Sequence, residues 1–241
     1  MTADDKQAAA TESAPKIIVA IDGPAGAGKS TVARHLARHF GLLNLETGAM
    51  YRAFALKALR SAVPLDDAKA LEDLTPETEI RLEPGDQENL VLLDGEDVTG
   101  LIRNPVVTDA ASRVSVFPAV RAWMVGLQQE IGARGGVVME GRDIGTVVFP
   151  HAEVKIFLDA APEVRGQRRY EQIGQQGTVA PPPDEILRDL RARDERDRNR
   201  KDSPLKPASD AVILDSTGMS LDEALAAAEA IVALKLKQAT K

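Results

Sequence analysis

Apolar and polar positions fall along the chain in blocks that predict five short buried strands separated by helices. Residues 17–21 form an apolar, β-branched run of the length of a buried strand. A helix-patterned segment follows, with Val32, Leu36, Ala37 and Phe40 at helical spacing and Gly41 as its C-cap. Residues 42–45 are short enough for a second strand. Thr47 and Gly48 then open a helix over 49–59 that turns Met50, Phe54 and Ala58 to one side. Further strands are read at 137–139, 154–158 and 211–214. Helices are read at 162–172 and from a capping Asp184 to about 201. A capping box, Ser220-Leu221-Asp222-Glu223, opens a final Ala/Leu helix. Short apolar strands alternating with helices predict an α/β fold, a parallel sheet covered on both faces, with ligands at the carboxyl ends of its strands.

Residues 61–114 interrupt that alternation and read as an inserted lobe. They hold a short helix over 65–74, a strand over 79–83, turn chemistry at 85–89 and a hairpin partner at 90–93. Thr99 and Asn104-Pro105 read as successive helix starts, and Phe117-Pro118 opens a long amphipathic helix striped by Val120, Met124, Leu127 and Ile131. Residues 1–15, polar and alanine-rich, are expected to be a disordered tail, and 16–241 a single domain. The glycine, glutamine and proline content of 174–183 suits a mobile flap, giving a lid over about 165–183.

The first strand runs directly into Gly23-Pro24-Ala25-Gly26-Ala27-Gly28-Lys29-Ser30-Thr31, with a helix pattern beyond it. This strand–loop–helix setting makes the G-x-x-x-x-G-K-[ST] spacing a phosphate site. Its backbone N–H groups would form an anion nest at the positive end of the helix. Lys29 would reach the β- and γ-phosphates, and the Ser30 hydroxyl is placed to ligate Mg2+. The implied ligand is a nucleoside triphosphate.

Composition narrows the field. A formal net charge of -7 gives no global attraction to nucleic acid or anionic membrane. With 3% aromatic residues there are few platforms for stacking bases, which disfavours a nucleic-acid-binding ATPase. The absence of cysteine excludes disulfides, thiolate metal sites and thiol nucleophiles. No stretch is apolar for long enough to span a bilayer, and the N-terminal residues lack the pattern of a secretory signal, so a cytoplasmic address is expected. His35 and His39 have metal-ligating spacing, but no third ligand lies nearby in sequence, and they read as a solvated helix face.

Three further constellations carry chemistry. Residues 191–201 interleave arginines with acids, as in a solvated helix laced with pairs such as Asp189–Arg193. The same segment, however, aligns Arg193, Asp197 and Arg200 on one face beside the flap, where guanidinium forks would meet phosphates. Glu140-Gly141-Arg142-Asp143 ends a buried strand at the predicted ligand edge, and Thr47 and Arg52 lie at the start of another helix. Phosphoryl transfer needs in-line positioning and positive charge more than covalent chemistry, and an acceptor phosphate brings its own nucleophile. Another small kinase acting on UMP, AMP or a sugar-like metabolite has the same parts. A GTP-operated switch would need a guanine-reading Asn-Lys-x-Asp segment, which the sequence lacks.

The chain closely resembles bacterial cytidylate kinases (CMP/dCMP kinases) of the nucleoside monophosphate kinase group. The resemblance runs from residue 17 to the last helix. It is carried by the phosphate loop, Thr-Gly-Ala-Met-Tyr-Arg, Gly-Arg-Asp-Ile-Gly-Thr-Val-Val-Phe-Pro, Lys-Ile-Phe-Leu-Asp-Ala and Arg-Asp-Glu-Arg-Asp-Arg-Asn-Arg, in that order. It implies a P-loop kinase core with strand order 2-3-1-4-5, an acceptor lobe and a lid, with ATP and Mg2+ as donor and cofactor, CMP or dCMP as acceptor, and a monomer. It also implies that Arg52, Arg142 and Arg200 clamp the acceptor phosphate. Thr47, Asp143, Arg193 and Asp197 would contact the acceptor nucleotide, Ser112 and Arg121 would read the cytosine edge, and Arg168 would approach the donor phosphates. Glu46 departs from the aspartate expected before Thr-Gly-Ala, which bears on the placement of Thr47.

Overall fold

The computed structural model describes residues 16–83, 89–175 and 180–239. Expectations for the 1–15 tail, most of the 85–89 turn and the centre of the flap therefore lie outside the described residues. Five parallel strands form the main sheet: β1 (Ile18–Asp22), β2 (Leu43–Glu46), β6 (Val137–Gly141), β7 (Val154–Asp159) and β8 (Val212–Asp215). Their order, β2-β6-β1-β7-β8, is the predicted 2-3-1-4-5 counted within this sheet. β1 lies between β6 and β7, with Ile21 facing Glu140 on one side and Ile156 on the other. Both neighbours are buried throughout or nearly so, which explains why these strands read as continuous apolar runs.

One sheet face packs on α1 (Lys29–Phe40) and α8 (Leu221–Ala239), with Val19, Ile21, Leu36, Val138, Ile156 and Val232 at the seam. Gly41 closes α1 in a left-handed conformation, its N–H bonded to the Ala37 carbonyl, as predicted. The capping box opens α8: Ser220 N–H donates to Glu223 Oε2 at 2.8 Å and Glu223 N–H to Ser220 Oγ at 3.3 Å. The His35/His39 face is not simply solvated. Glu229 of α8 contacts His35 Nε2 at 2.5 Å and His39 Nδ1 at 3.0 Å, clasping the two helices. Among the described residues no group of three or more His, Asp or Glu side chains is arranged to hold a metal ion, and no helix is long and apolar enough to cross a membrane.

The inserted lobe has its own core. α2 (Thr47–Arg60), α3 (Ala68–Leu74), α4 (Pro105–Val114) and α5 (Pro118–Gly132) bury Phe54, Leu71, Val114 and Met124. An antiparallel sheet of β3 (Ile80–Glu83), β4 (Leu90–Leu93) and β5 (Glu96–Asp97) covers them. β5 was not predicted, being a two-residue exposed edge without apolar alternation. Its signal was the Asp94-Gly95 dipeptide, both residues at positive φ, which turns β4 back on itself. Thr99 starts no helix: it closes a turn on Asp97, and the next element is a short 3-10 turn at Leu101–Arg103. Asn104 does cap α4, accepting from Val106 N–H at 2.8 Å.

The stretch expected to be a lid, 165–183, falls on α6 (Pro162–Gln175) and the start of α7 (Pro183–Asn199). α6 runs three residues beyond the predicted end, taking Gly174 from the flap. Asp184 is not the cap of α7, because Pro183 already supplies helical φ at the first position. The acid lies within the first turn, where it favours the helix dipole.

Phe54 is fully buried and sits 5.3 Å, centroid to centroid, from Trp123, the chain's sole tryptophan. Phe54→Ala is expected to destabilise the lobe by about 3–5 kcal/mol. Denaturant melts followed by Trp123 fluorescence would show the midpoint falling, and an unchanged midpoint would contradict this packing.

Candidate functional site

β1 delivers the phosphate loop to the carboxyl edge of the sheet between two partners. A Cβ on Gly23 (φ +150°) would sit 2.0 Å from the Leu158 carbonyl oxygen of β7, so only glycine allows the chain to leave the strand there. No side chain caps the N-terminus of α1, and its first turn carries no acid, so the positive end of the helix stays available to an anion. Lys29 is 5% exposed and its ammonium donates to the Pro24 carbonyl at 2.7 Å. Burial, with Arg142 and Arg193 nearby, pulls its pKa down to about 7, against the opposing pull of Glu140 and Asp197. Ser30 Oγ donates to Glu140 Oε1 at 2.7 Å.

β6 supplies the opposite wall. Beyond its end, Asp22 accepts hydrogen bonds from Ile144 N–H at 2.7 Å and Gly145 N–H at 2.8 Å. These anchor a single π turn, Ile144–Val148, directly after Arg142 and Asp143. Burial pushes the Asp22 carboxyl up to about 6, the two N–H bonds limiting the rise. Thr47 Oγ1 donates to the Glu140 carbonyl at 2.7 Å, joining the start of α2 to the same strand end. The carboxylate of Glu46 holds Arg52 at 2.5 Å.

The acceptor-side predictions converge. Arg142 Nε donates to Asp197 Oδ2 at 2.9 Å. Burial alone would raise the Asp197 carboxyl, but Arg142, Arg200 and Arg193 hold it below the usual carboxylate range. Arg193 is not paired along the helix with Asp189. It turns toward Arg142 and Asp197, and burial and the Arg142 charge bring its pKa down to about 10. Arg121, 3% exposed, is ion-paired with Asp143. Its other amino group donates to the Tyr51 hydroxyl and the Ser115 carbonyl, both at 3.4 Å. Arg52 Nε, Ser112 Oγ, Arg121 Nε and Arg200 Nη2 are buried and find no hydrogen-bond partner within the protein. Buried donors of this kind are costly unless an acceptor meets them.

Arg168 lies elsewhere: its guanidinium donates to Ser216 Oγ at 3.0 Å and to the Ser216 carbonyl at 2.9 Å, at the end of β8. The lid residue that touches the phosphate loop is Arg165, which sequence reasoning missed. Tyr51 was also missed; burial pushes its phenol up to about 12, so it stays a neutral donor and acceptor. Its position inside the Thr-Gly-Ala-Met-Tyr-Arg motif was the available signal. Glu140 was noted as part of a polar cluster without a role, and its hydrogen bond to Ser30 supplies one.

The chain matches a family model described as cytidylate kinase over residues 19–234. It is 49% identical over 213 residues to the cytidylate kinase of Pasteurella multocida, covering 88% of this chain and 93% of the relative. It is 52% identical over 211 residues to that of Solibacter usitatus, covering 86% and 88% respectively. Among solved structures it is similar to a gluconokinase from Sinorhizobium meliloti 1021, with 16% identity, a TM-score of 0.48 and coverage of 94% of this chain and 97% of the other.

A lysine poised near pH 7 must regain its proton when polyphosphate arrives. At pH 7.5, binding of ATP should therefore take up a substantial fraction of a proton more in the parent than in Lys29→Arg, whose guanidinium stays charged. Calorimetry in buffers of differing ionisation enthalpy measures this. Equal buffer dependence in both proteins would refute the depressed lysine.

Proposed function

This chain belongs to the cytidylate kinase family, and we propose that the strand-end cluster carries that family's reaction, transfer of a phosphoryl group from ATP to CMP or dCMP, with the roles given below. The observation that supports the assignment best is the group of buried donors without acceptors, of which Arg52 and Arg121 pair with Glu46 and Asp143 at the exits of β2 and β6. Those donors are guanidiniums and a hydroxyl, suited to phosphate oxygens and to the acceptor edge of cytosine.

The phosphate loop, residues 23–31, holds the donor, with Lys29 leaving Pro24 for the β- and γ-phosphates. Arg52, Arg142 and Arg200 clamp the acceptor phosphate. Thr47 contacts the acceptor nucleotide. Asp143, Arg193 and Asp197 orient it, the aspartates chiefly through its sugar. Ser112 and Arg121 read the base, with Tyr51 bracing Arg121. An oxygen of the acceptor phosphate is the nucleophile: its bond to the γ-phosphorus forms as the bond to the bridging β–γ oxygen breaks, and ADP leaves. No side-chain base is needed, and the guanidiniums neutralise charge that spreads over the transferring group. Arg168 is the donor-side cation of α6 once it leaves its hold on Ser216 at the end of β8.

Ser30 and Glu140 fit Mg2+, since a hydroxyl and a carboxylate already in contact are the few hard oxygen ligands it takes beside phosphates. When bound, the ion would neutralise charge on the β- and γ-oxygens. By its likeness to that family we place it in the cytoplasm as a monomer.

An ADP-release assay with ATP and separate CMP, dCMP, UMP, AMP and GMP wells tests the reading. Release is expected with CMP and dCMP and little with the others; release independent of acceptor would overturn it. Arg200→Ala should lower turnover about 100-fold with every acceptor, and unchanged turnover would remove it from the clamp. Arg121→Ala should lower kcat/KM for CMP about 10- to 100-fold and for UMP far less. It also frees Asp143, so the CMP-to-UMP ratio is the measure, and equal losses would refute base reading.

A further inference from the structure

The most buried charge in the lid has no part in the reaction described above. Arg165 is 1% exposed, yet it is a full guanidinium inside the protein. Its Nε donates to the Ala160 carbonyl at 2.8 Å, just beyond the end of β7. Its Nη1 donates to the Ala25 carbonyl of the phosphate loop at 2.9 Å and pairs with Asp194 Oδ2 of α7 at 2.7 Å. The other oxygen of Asp194 accepts from Ala25 N–H at 3.4 Å. One loop residue is thus held by both its N–H and its C=O, between a strand end and a lid helix.

The surroundings fit that contact closely. Ala25 packs with Ile186 and Leu190 of α7. At Gly26 (φ +76°) a Cβ would lie 3.3 Å from Arg165 Cβ, tighter than ordinary contact, so loop and helix meet closely where the backbone itself favours glycine. Asp194 also stands one turn from Asp197, which holds Arg142 on the acceptor side. α7 therefore grips the donor loop through Asp194 and the acceptor clamp through Asp197.

We propose that Arg165 and Asp194 are a positioning pair through which α7 couples acceptor occupancy to the shape of the phosphate loop. The pair touches no reacting atom. An acceptor phosphate that draws Arg142 from Asp197 changes the forces on α7, and the Arg165–Asp194 fork carries that change to the Ala25 peptide. A buried ion pair adds little stability over apolar residues of similar volume, so stability alone does not account for it. This inference rests on the kinase reading of the site.

The same feature provides the test. The double variant Arg165→Met/Asp194→Leu exchanges the pair for apolar bulk and should melt at or above the parent temperature. Calorimetry with CMP, alone and beside a nonhydrolysable ATP analogue, gives the ratio of the two CMP dissociation constants. The parent ratio should be about 5-fold or more, and the double variant should bring it to near 1. Arg165→Lys, which keeps the charge but cannot span Ala160, Ala25 and Asp194 together, should give an intermediate ratio and supplies the answer if the double variant does not fold. A purely structural pair would shift the melting temperature and leave the ratio unchanged. Unaltered ratios in folded variants, or a parent ratio of 1 with both nucleotides binding, would overturn the proposal alone. A parent that binds neither nucleotide would overturn the kinase reading beneath it.

Discussion

The carboxylate of Asp22 links the two walls of the site. It ends β1, the residue before the phosphate loop, and accepts the N–H groups of Ile144 and Gly145 on the neighbouring strand's exit. Parallel register alone would bring the ends of β1 and β6 level, with Asp22 opposite Gly141. It would not set the angle at which the next residues leave. The two N–H bonds set that angle, and Arg142 and Asp143 point into the cleft because the turn after them is tied down. Burying a carboxylate opposes its ionisation, and two backbone donors are the compensation.

Around that tie, cations and acids are paired within the protein: Arg142 with Asp197, Arg121 with Asp143, Arg52 with Glu46, Arg165 with Asp194. Each pair keeps a guanidinium near its working position and limits the desolvation cost of holding it there. The pairing is incomplete, since buried nitrogens of Arg52, Arg121 and Arg200 remain without acceptors. On the roles proposed above, an incoming phosphate or base edge would meet donors already held in place, so less ordering is required at the moment of binding.

What was legible in the sequence was local. The glycine-rich turn between β1 and α1, the Gly41 cap, the Ser220–Glu223 box and the apolar strands are each encoded within a few consecutive residues, and each was found where it was read. The run 191–201 allowed two readings because composition does not say which face of a helix is covered. Packing decides that Asp194 and Asp197 are buried while Arg191, Glu195 and Arg198 stay exposed. The missed contacts all join distant stretches: Arg165 to Ala25, Asp22 to Gly145, and Glu229 to the histidine pair. They exist only once layers have stacked, and no periodicity within one segment announces them. The resemblance to a known family named residues that spacing could not connect and that the structure brings together, such as Arg142 with Asp197 and Arg121 with Asp143, but passed over Tyr51 and Arg165.

The inserted lobe begins at the end of α2 and returns at the start of α4, and these two helices pack along each other. Its departure and return are therefore fixed by one helix–helix seam, while the β3–β5 meander between them leans on the main sheet through Leu82 and through Asn89, whose amide donates to the Asn44 carbonyl of β2. Lengthening such a meander adds closure entropy only logarithmically. What limits such a change is contact, not closure: the meander touches β2, the strand that ends in Glu46 and so in the hold on Arg52. In evolutionary terms its length can drift only as far as that hold on β2 is kept, and in engineering terms a graft belongs where it leaves Leu82 and Asn89 seated.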